Sequence, residues 1–303
     1  MTRTPILYIA GSGRSGSTLL GVLLGQLPGF CAVGEARDLF DLGIGRRGPC
    51  GCGLAVPDCP FWKSVLRRTF PQSDVNPTRW ANDKERFLRT KRILSYELRH
   101  RFDLPTERSE LLAYVHTLRR LYAAIRDESS AKVIVDASKW PTYGKLLESI
   151  DELDVYVVHL VRDPRACAAA WSKAKQVEAN RRLETQNAAF TTSYWVAWNG
   201  IIPRWFDRSR YLLLRYEDFV SAPRDSIRRV ATFVGHSEAA LPFVDDRIAE
   251  LGPTHSIAGN DGRFSRGRLE IRASDDWRIK LPARSRRLVE LMTFALRRKY
   301  GYE

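Results

Sequence analysis

The residues at positions 11–18, GSGRSGST, have the composition and spacing of an anion-binding loop. Their glycines permit tight turns and a close approach of the backbone to a ligand. Ser17 and Thr18 open a helix-like segment whose free N–H groups would point at the loop. A short apolar run, ILYIA, comes directly before the loop. Strand, glycine loop and helix in this order predict a phosphate-binding site.

The loop departs from the P-loop of nucleoside triphosphatases at one important position. Gly11 and Gly16 have the P-loop spacing, but that motif continues with Lys and then Ser or Thr. This chain has Ser17 and Thr18 there, so the lysine that reaches the outer phosphates is missing. Arg14 supplies a cation inside the loop instead, and we expect it to contact the bound anion.

The overall charge favours anionic ligands without identifying one. The 303 residues include 49 Lys and Arg against 35 Asp and Glu, a formal net charge of +14. Nucleic acid is not the expected partner, because the chain has no long basic tail and no pattern of aromatic and basic residues suited to base stacking. No apolar run approaches the ~20 residues of a membrane span, and residues 6–10 are too short for a signal-peptide core. A cytoplasmic protein is therefore expected.

Three of the five cysteines, Cys50, Cys52 and Cys59, lie close together in a loop rich in Gly and Pro. An odd number of cysteines argues against a disulfide scaffold. The neighbourhood offers no fourth metal ligand, and the paired C-x-x-C spacing of common zinc sites is absent. We therefore expect buried thiols and no metal, and the role of these cysteines stays open.

The periodicity of the sequence predicts an α/β fold. Nearly continuous apolar runs, typical of parallel strands buried on both faces, occupy residues 6–10, 132–135, 155–161 and 211–214. Between them lie helical patterns at 17–27, 83–101, 109–127, 143–150, 165–182 and 223–234. No repeat or linker marks a boundary, so residues 1–303 are expected to form a single domain, with an irregular insertion near 43–60.

The segment GSGRSGSTLL resembles the 5'-phosphosulfate loop of sulfotransferases that use 3'-phosphoadenosine 5'-phosphosulfate (PAPS). The fold of that family is similar to that of P-loop kinases, which implies a P-loop-type parallel sheet with helices on both faces. The resemblance also implies PAPS as the donor and 3',5'-ADP as the product. It assigns the 5'-phosphosulfate to Ser12, Gly13, Arg14, Ser15, Gly16, Ser17 and Thr18.

A second segment, VVHLVRDPRACAAAWSK at 157–173, resembles the element of this family that binds the 3'-phosphate. Arg162 stands at the end of the strand, where the family has its 3'-phosphate arginine. The family usually has a serine eight positions later, where this chain has Ala170. Ser172 is the possible replacement, although two residues correspond to a rotation of roughly 200° around a helix.

Two later segments extend the resemblance almost to the end of the chain. Residues 212–235 are similar to the family's strand, Tyr-Glu-Asp turn and helix, with Glu217 and Asp218 expected to cap the helix. Residues 259–278, GNDGRFSRGRLEIRASDDWR, resemble the loop that closes over the nucleotide. That resemblance implies Arg263 as a 3'-phosphate ligand, with Arg266 and Arg268 as weaker alternatives.

Sulfuryl transfer needs a base for the acceptor and cations near the leaving oxygen. Arg14 is the first cation, and the resemblance of VDASKWP to the element bearing a catalytic lysine adds Lys139, oriented by Asp136. The segment GEARD resembles the Glu-x-Arg element of tyrosylprotein sulfotransferases, which implies Glu35 as the base beside Arg37. Asp136 is the alternative base. His159 lies in a predicted strand and is expected to be a core residue.

The acceptor is predicted only as a class: a small or medium hydroxyl compound, such as a carbohydrate, a lipid or a secondary metabolite. Aromatic residues in one helical segment either line its pocket or pack in the core: Tyr194, Trp195, Trp198, Trp205 and Phe206. The alternative functions are a nucleotide kinase or NTPase, with Asp136 on magnesium, and a basic nucleic-acid-binding protein. The sequence gives no indication of oligomeric state.

Overall fold

The computed structural model describes residues 3–71, 76–90, 109–172, 175–178, 181–183 and 186–303. Its strands are β1 (Thr4–Ala10), β2 (Phe30–Gly34), β3 (Val133–Lys139), β4 (Leu153–Val161), β5 (Lys175–Glu178), β6 (Arg181–Leu183), β7 (Tyr211–Arg215), β8 (Ile248–Leu251) and β9 (Gly267–Glu270). Five of them form one parallel sheet in the order β2-β3-β1-β4-β7. Two antiparallel pairs, β5-β6 and β8-β9, lie outside it.

The helices are α1 (Ser17–Leu24), α2 (Pro60–Thr69), α3 (Pro77–Leu88), α4 (Ser109–Ser129), α5 (Pro141–Glu148), α6 (Pro164–Trp171), α7 (Ala188–Trp205), α8 (Tyr216–Ser221), α9 (Pro223–Phe233), α10 (Trp277–Lys280) and α11 (Ala283–Lys299). No helix in the described part of the chain is both long enough and apolar enough to cross a lipid bilayer.

The sheet is covered by helices on both faces, as the sequence predicted. Alternate residues of β1 point to opposite sides, so Ile6 and Tyr8 join one core while Leu7 and Ile9 join another. Side chains of α2, α4, α5 and α7 complete the first core. Those of α1, α8 and α9 complete the second. Burial on both faces explains why the central strands are nearly continuous apolar runs.

Several predicted boundaries were wrong for identifiable reasons. The helix predicted over 165–182 ends at Trp171, and residues 175–178 and 181–183 form an antiparallel pair instead. Beyond Trp171 the segment has few large apolar residues that could pack a helix face. The helix predicted over 83–101 overlaps α3, and its residues 91–101 lie outside the described part. Strand β2 was not predicted, because its five residues, which end in a glycine, carry too little periodicity.

The irregular insertion predicted near 43–60 lies between β2 and α2, which begins at Pro60. A π-helical turn, Leu39–Gly45, precedes its cysteine loop, and a 3-10 turn, Val56–Asp58, lies within that loop. The expected capping by Glu217 is corrected, since its carboxylate accepts hydrogen bonds from the Asp163 N–H and the Tyr302 hydroxyl. That carboxylate thus ties the start of α6 to the chain's last residues.

Candidate active site

The glycine loop joins the carboxyl end of β1 to α1. Gly11 has φ +144°, and a Cβ atom there would lie 2.3 Å from the Leu160 carbonyl oxygen. Gly16 precedes α1 in the left-handed conformation, and a Cβ atom there would lie 2.4 Å from the Tyr216 ring. No side chain in the described part of the chain caps α1, so its first N–H groups remain available to a ligand in the loop. Gly11 and Gly16 must both be glycine, because a Cβ atom at either position would clash with its neighbour.

Arg14, the cation of this loop, is half-buried. Its backbone has φ +66°, and its guanidinium stacks 4.7 Å from the centre of the Trp171 ring. Within the described part of the chain, Arg14 Nε and Nη2 and the Ser15 hydroxyl are buried and have no hydrogen-bond partner. Burial lowers the pKa of Arg14 below its ordinary value. Buried donors without acceptors are costly, which points to a bound anion.

Arg162 lies beside the glycine loop. This proximity is needed if a single nucleotide is to contact both. Arg162 follows β4, and its Nη1 atom donates a hydrogen bond of 3.1 Å to the Arg14 carbonyl oxygen. Its guanidinium stacks 4.3 Å from the Tyr216 ring centre. Arg162 Nε is a further buried donor with no hydrogen-bond partner among the described residues. Two cations from distant parts of the sequence therefore share one cavity.

The segment after residue 258 reaches the same cavity from the other side. The Asn260 N–H donates a hydrogen bond of 3.2 Å to the Thr18 hydroxyl, which packs the segment against the start of α1. Arg263 is 1% exposed, donates to the Gly259 carbonyl and lines the cavity. Of the weaker alternatives, Arg266 bonds to the Gly51 carbonyl and Arg268 lies 3.7 Å from Glu250. Neither of those two lines the cavity.

Ser172 does not take the place of the serine missing at Ala170. It follows α6, is exposed, and its hydroxyl donates a hydrogen bond of 2.9 Å to the Ala169 carbonyl. Ala170 and Trp171 line the cavity, whereas Ser172 does not. The physical reason is the rotation of roughly 200° between positions 170 and 172 on a helix. The structure thus removes Ser172 from the predicted site.

The cavity has a volume of about 900 Å³ and lies at the carboxyl ends of the sheet strands. This is the usual place for ligands in open α/β sheets. Of the predicted binding residues, those that line it are Ser12, Gly13, Arg14, Gly16, Ser17, Thr18, Arg162 and Arg263.

Glu35 and Lys139 meet at the edge of this cavity, after β2 and at the end of β3. Lys139 Nζ forms an ion pair with Glu35 Oε1, and Glu35 Oε2 lies 3.4 Å from Arg37 Nη2. The Glu35 and Lys139 side chains are only 12% and 11% exposed. The backbone places Lys139 in the left-handed region, with φ +69°. Both predicted catalytic side chains therefore face the same space as Arg14.

A charged network continues behind Glu35. Arg37 stacks 3.9 Å from the Trp140 ring centre and forms a 2.5 Å ion pair with Asp38, which also lies 2.8 Å from Lys84 Nζ. Burial alone would raise the pKa of Asp38, but Arg37 and Lys84 outweigh it and hold that pKa below its ordinary value. The sequence analysis missed Asp38 and Lys84. Asp38 could have been found from its position directly after the Glu-x-Arg element, whereas no motif near Lys84 indicates a role for it.

Asp136 is not on the cavity, so the structure does not favour it as the base or as a magnesium ligand. Its carboxylate is fully buried and accepts hydrogen bonds from the Tyr122 hydroxyl and, at 2.8 Å, from the Ser138 N–H. Burial raises the pKa of Asp136 to about 6. His159 lies in the core as predicted, between Tyr211 and Asn199, and burial lowers its pKa to about 4.

The aromatic residues of the segment around α7 include some that line the cavity and some that pack in the core, the two alternatives given for them. Tyr194, Trp195 and Trp198 line the cavity, while Trp205 and Phe206 pack into the core below the sheet. The Trp195 indole also donates a hydrogen bond of 2.9 Å to the Arg162 carbonyl, which fixes the end of β4. Phe190, which the sequence analysis missed, extends the aromatic wall one turn further; its ring centre lies 4.8 Å from that of Tyr194.

The three clustered cysteines do have a fourth potential ligand nearby, which corrects the expectation that none exists. His255 lies 196 positions after Cys59, yet its Nδ1 atom is 3.4 Å from the Cys59 Sγ atom. No local spacing could reveal this, because the histidine arrives from the segment before the cavity-lining loop.

Comparisons with known proteins indicate the fold and the family of this chain. Human carbohydrate sulfotransferase 3 is 26% identical over 170 residues, which cover 50% of this chain and 34% of that protein. The match thus spans about a third of this relative's length. The sulfotransferase domain of the Synechococcus PCC 7002 olefin synthase has a TM-score of 0.52 at 22% identity, covering 100% of this chain and 96% of that one.

The sulfotransferase domain from the curacin biosynthetic pathway has a TM-score of 0.50 at 15% identity, with 100% of this chain and 99% of that one covered. These likenesses show the P-loop-type α/β fold. The sequence itself, over residues 5–239, matches the model described as the Sulfotransferase family. That match includes the glycine loop, Glu35, Lys139 and Arg162, and so the chain belongs to the sulfotransferase family.

Proposed function

We propose that this protein transfers the sulfuryl group of PAPS to a hydroxyl of a small or medium acceptor, releasing 3',5'-ADP. Membership of the sulfotransferase family supports the reaction class. The observation that carries the choice of donor is the pair of neighbouring arginines. Arg14 and Arg162 have buried donors without acceptors among the described residues and are joined by a 3.1 Å hydrogen bond. A nucleotide with anionic groups at both ends of its ribose would satisfy them.

The residues of the cavity suit such a donor. Residues 12–18 and the uncapped start of α1 would hold the 5'-phosphosulfate, because they offer backbone N–H groups, hydroxyls and one guanidinium. Arg162 and Arg263 would hold the 3'-phosphate, for which arginine's planar fork is well shaped. PAPS, when bound, supplies an activated sulfuryl group on a phosphate oxygen. No magnesium ligand is needed in this scheme, in keeping with the burial of Asp136.

Glu35 is proposed to accept the proton of the attacking hydroxyl. A carboxylate is effective in this role only when it is largely removed from water, and Glu35 is 12% exposed. Lys139, its ion-pair partner, and Arg14 are proposed to stabilise the negative charge that develops on the leaving oxygen. The ion pair keeps the base and one of these cations in contact, on the same edge of the cavity.

The acceptor is proposed to lie against the aromatic wall of α7. Phe190, Tyr194 and Trp198 line the cavity, and aromatic side chains suit the C–H faces of a sugar, an apolar chain or a flat metabolite. The name of the human relative, carbohydrate sulfotransferase 3, supports a carbohydrate as one of these classes. Lipids and secondary metabolites remain within the proposal.

The test compares ligands by thermal shift before any acceptor is known. We expect 3',5'-ADP to raise the unfolding temperature more than ATP with magnesium does, because binding to the native state stabilises it. Transfer of ³⁵S from labelled PAPS to a panel of sugars, sterols and phenols then identifies the acceptor. Stabilisation by ATP with magnesium alone, with no effect of 3',5'-ADP, would contradict the proposal.

A further inference from the structure

We propose that Cys50, Cys52, Cys59 and His255 bind one zinc ion in a structural site. The four donor atoms of these residues all lie within 4.8 Å of one another. Three come from the loop before α2, and the fourth comes from the segment that leads to Arg263. The site is separate from the nucleotide cavity, whose lining includes none of these four residues.

Three of the six separations between the donor atoms match those around a tetrahedral ion. With Zn–S bonds of about 2.3 Å and Zn–N bonds of about 2.0–2.1 Å, a regular tetrahedron has S···S edges of about 3.8 Å and S···N edges of about 3.6 Å. Here the Cys52 and Cys59 Sγ atoms are 3.7 Å apart. His255 Nδ1 lies 3.4 Å from Cys59 Sγ and 3.7 Å from Cys50 Sγ.

The chemistry of the donors selects zinc. Three thiolates and one imidazole form a soft, four-coordinate set of the kind found in structural zinc sites, whereas calcium and magnesium require oxygen ligands. A set of four protein ligands leaves no open position for water or substrate, so a catalytic role does not follow. Cys50 and Cys59 are fully buried, and Cys52 and His255 are partly buried.

The surrounding structure holds the ligands in place. Phe61 stacks on the His255 ring, with centres 4.4 Å apart and planes 8° apart. The Trp62 indole donates a hydrogen bond of 2.9 Å to the His255 carbonyl. The loop between the first two cysteines is closed by a 2.8 Å hydrogen bond from the Gly53 N–H, at φ +101°, to the Cys50 carbonyl. Supporting contacts of this kind are typical of metal sites.

The proposed zinc site lies next to the segment that lines the cavity, so a bound metal would stabilise that segment. The Gly51 N–H bonds to the Ser256 carbonyl at 2.8 Å, and the Ile257 carbonyl accepts a 2.8 Å hydrogen bond from the Glu35 N–H. The same segment then continues to Asn260, which contacts Thr18, and to Arg263. A zinc ion at His255 would therefore fix the segment that holds Glu35 and carries Arg263. Only this effect on the cavity depends on the proposed function; zinc binding does not.

The direct test is the zinc content of the purified 303-residue chain, measured by mass spectrometry after growth with added zinc. We expect one zinc per chain. Replacement by cobalt should give the visible absorption of a tetrahedral site with thiolate-to-metal charge transfer. The Cys52→Ser and His255→Gln variants should lose most of the bound zinc. The matched control, Cys31→Ser, alters a cysteine on β2 and should retain one zinc per chain.

The proposal is overturned by a wild-type chain that contains no zinc, or by a Cys52–Cys59 disulfide in the protein isolated without reductant. Equal zinc loss in Cys31→Ser and His255→Gln would also overturn it. If the ligand variants do not fold, the zinc content and cobalt spectrum of the wild type still decide. A zinc-loaded protein that fails to transfer sulfuryl groups would contradict the proposed function and leave the metal site standing.

Discussion

Arg162 Nη1 donates a hydrogen bond of 3.1 Å to the carbonyl oxygen of Arg14, joining the end of β4 to the glycine loop. The two residues are 148 positions apart in the chain. Each guanidinium stacks on an aromatic ring, Tyr216 for Arg162 and Trp171 for Arg14. These contacts fix two cations before a ligand arrives, so little side-chain freedom is lost on binding. Such a pair is suited to an anion with two charged groups.

The Arg162→Ala variant tests whether this arginine recognises the 3'-phosphate. We expect the Kd of 3',5'-ADP to rise roughly 10- to 100-fold, because a charge-assisted hydrogen bond is lost. The Kd of 5'-AMP, which lacks that phosphate, should change little. Calorimetric titration with both nucleotides measures the difference.

The control for Arg162 is Arg268→Ala, which removes an equal charge from an exposed position on β9 outside the cavity. It should leave both affinities nearly unchanged. If Arg162→Ala weakens the binding of 5'-AMP and of 3',5'-ADP equally, the assignment of Arg162 to the 3'-phosphate is wrong. Its main role would then be structural, through the hydrogen bond to Arg14.

Glu35→Gln tests the proposed base with almost no change in shape. We expect turnover to fall roughly 100- to 10,000-fold, the range typical of a lost general base, while the Kd of 3',5'-ADP stays nearly constant. Single-turnover transfer of ³⁵S from PAPS gives the rate, and titration gives the affinity. The control is Glu250→Gln, which alters an exposed glutamate on β8 that pairs with Arg268. Full activity in Glu35→Gln would remove this residue from the mechanism.

The parts of the site that could be predicted from sequence are those whose function depends on local order along the chain. The glycine loop and Arg162 each follow a predicted apolar strand, and parallel strands bring their carboxyl ends to one edge. The meeting of these two in one cavity follows from that topology. Glu35 follows β2, which was not predicted, and it was identified only through the resemblance of its Glu-x-Arg element.

The parts that could not be predicted depend on contacts between distant segments. His255 reaches the cysteine loop, and Lys84 reaches Asp38, only through tertiary packing. Ser172 shows the opposite error: its sequence position is close to the family serine, but helix geometry turns it away. Sequence spacing therefore predicts strand-end residues better than it predicts partners supplied by loops and helices.

Asp136→Asn should change the pH dependence of stability, which separates a buried structural carboxyl from a base. The folded pKa, about 6, lies above the ordinary value of 3.8, so the native state binds the proton more tightly than the unfolded state. The resulting stabilisation is present below about pH 4 and is lost as pH rises through 6, by about 3 kcal/mol. Asparagine stays neutral, so the variant should gain stability relative to the wild type over that range.

Urea unfolding of both proteins between pH 4 and 7 measures this difference. His159 acts with the opposite sign, because its pKa is lowered to about 4, but it is present in both proteins and cancels. The control Asp246→Asn alters a side chain that is 92% exposed and should give a difference independent of pH. A pH-independent difference for Asp136→Asn as well would show that this carboxyl stays ionised in the fold.

Tyr194→Ala tests the aromatic wall as the acceptor side of the cavity. The ring packs between Phe190 and Trp198, with centres 4.8 and 5.6 Å away, and faces the cavity. Once an acceptor is known, its KM should rise roughly tenfold from the lost apolar contact, while the Kd of 3',5'-ADP should not change. Phe294→Ala, which removes an exposed ring on α11 outside the cavity, is the matched control. If the acceptor KM is unchanged and nucleotide binding is weakened, Tyr194 contacts the donor. The proposal that the acceptor binds against the aromatic wall would then be wrong.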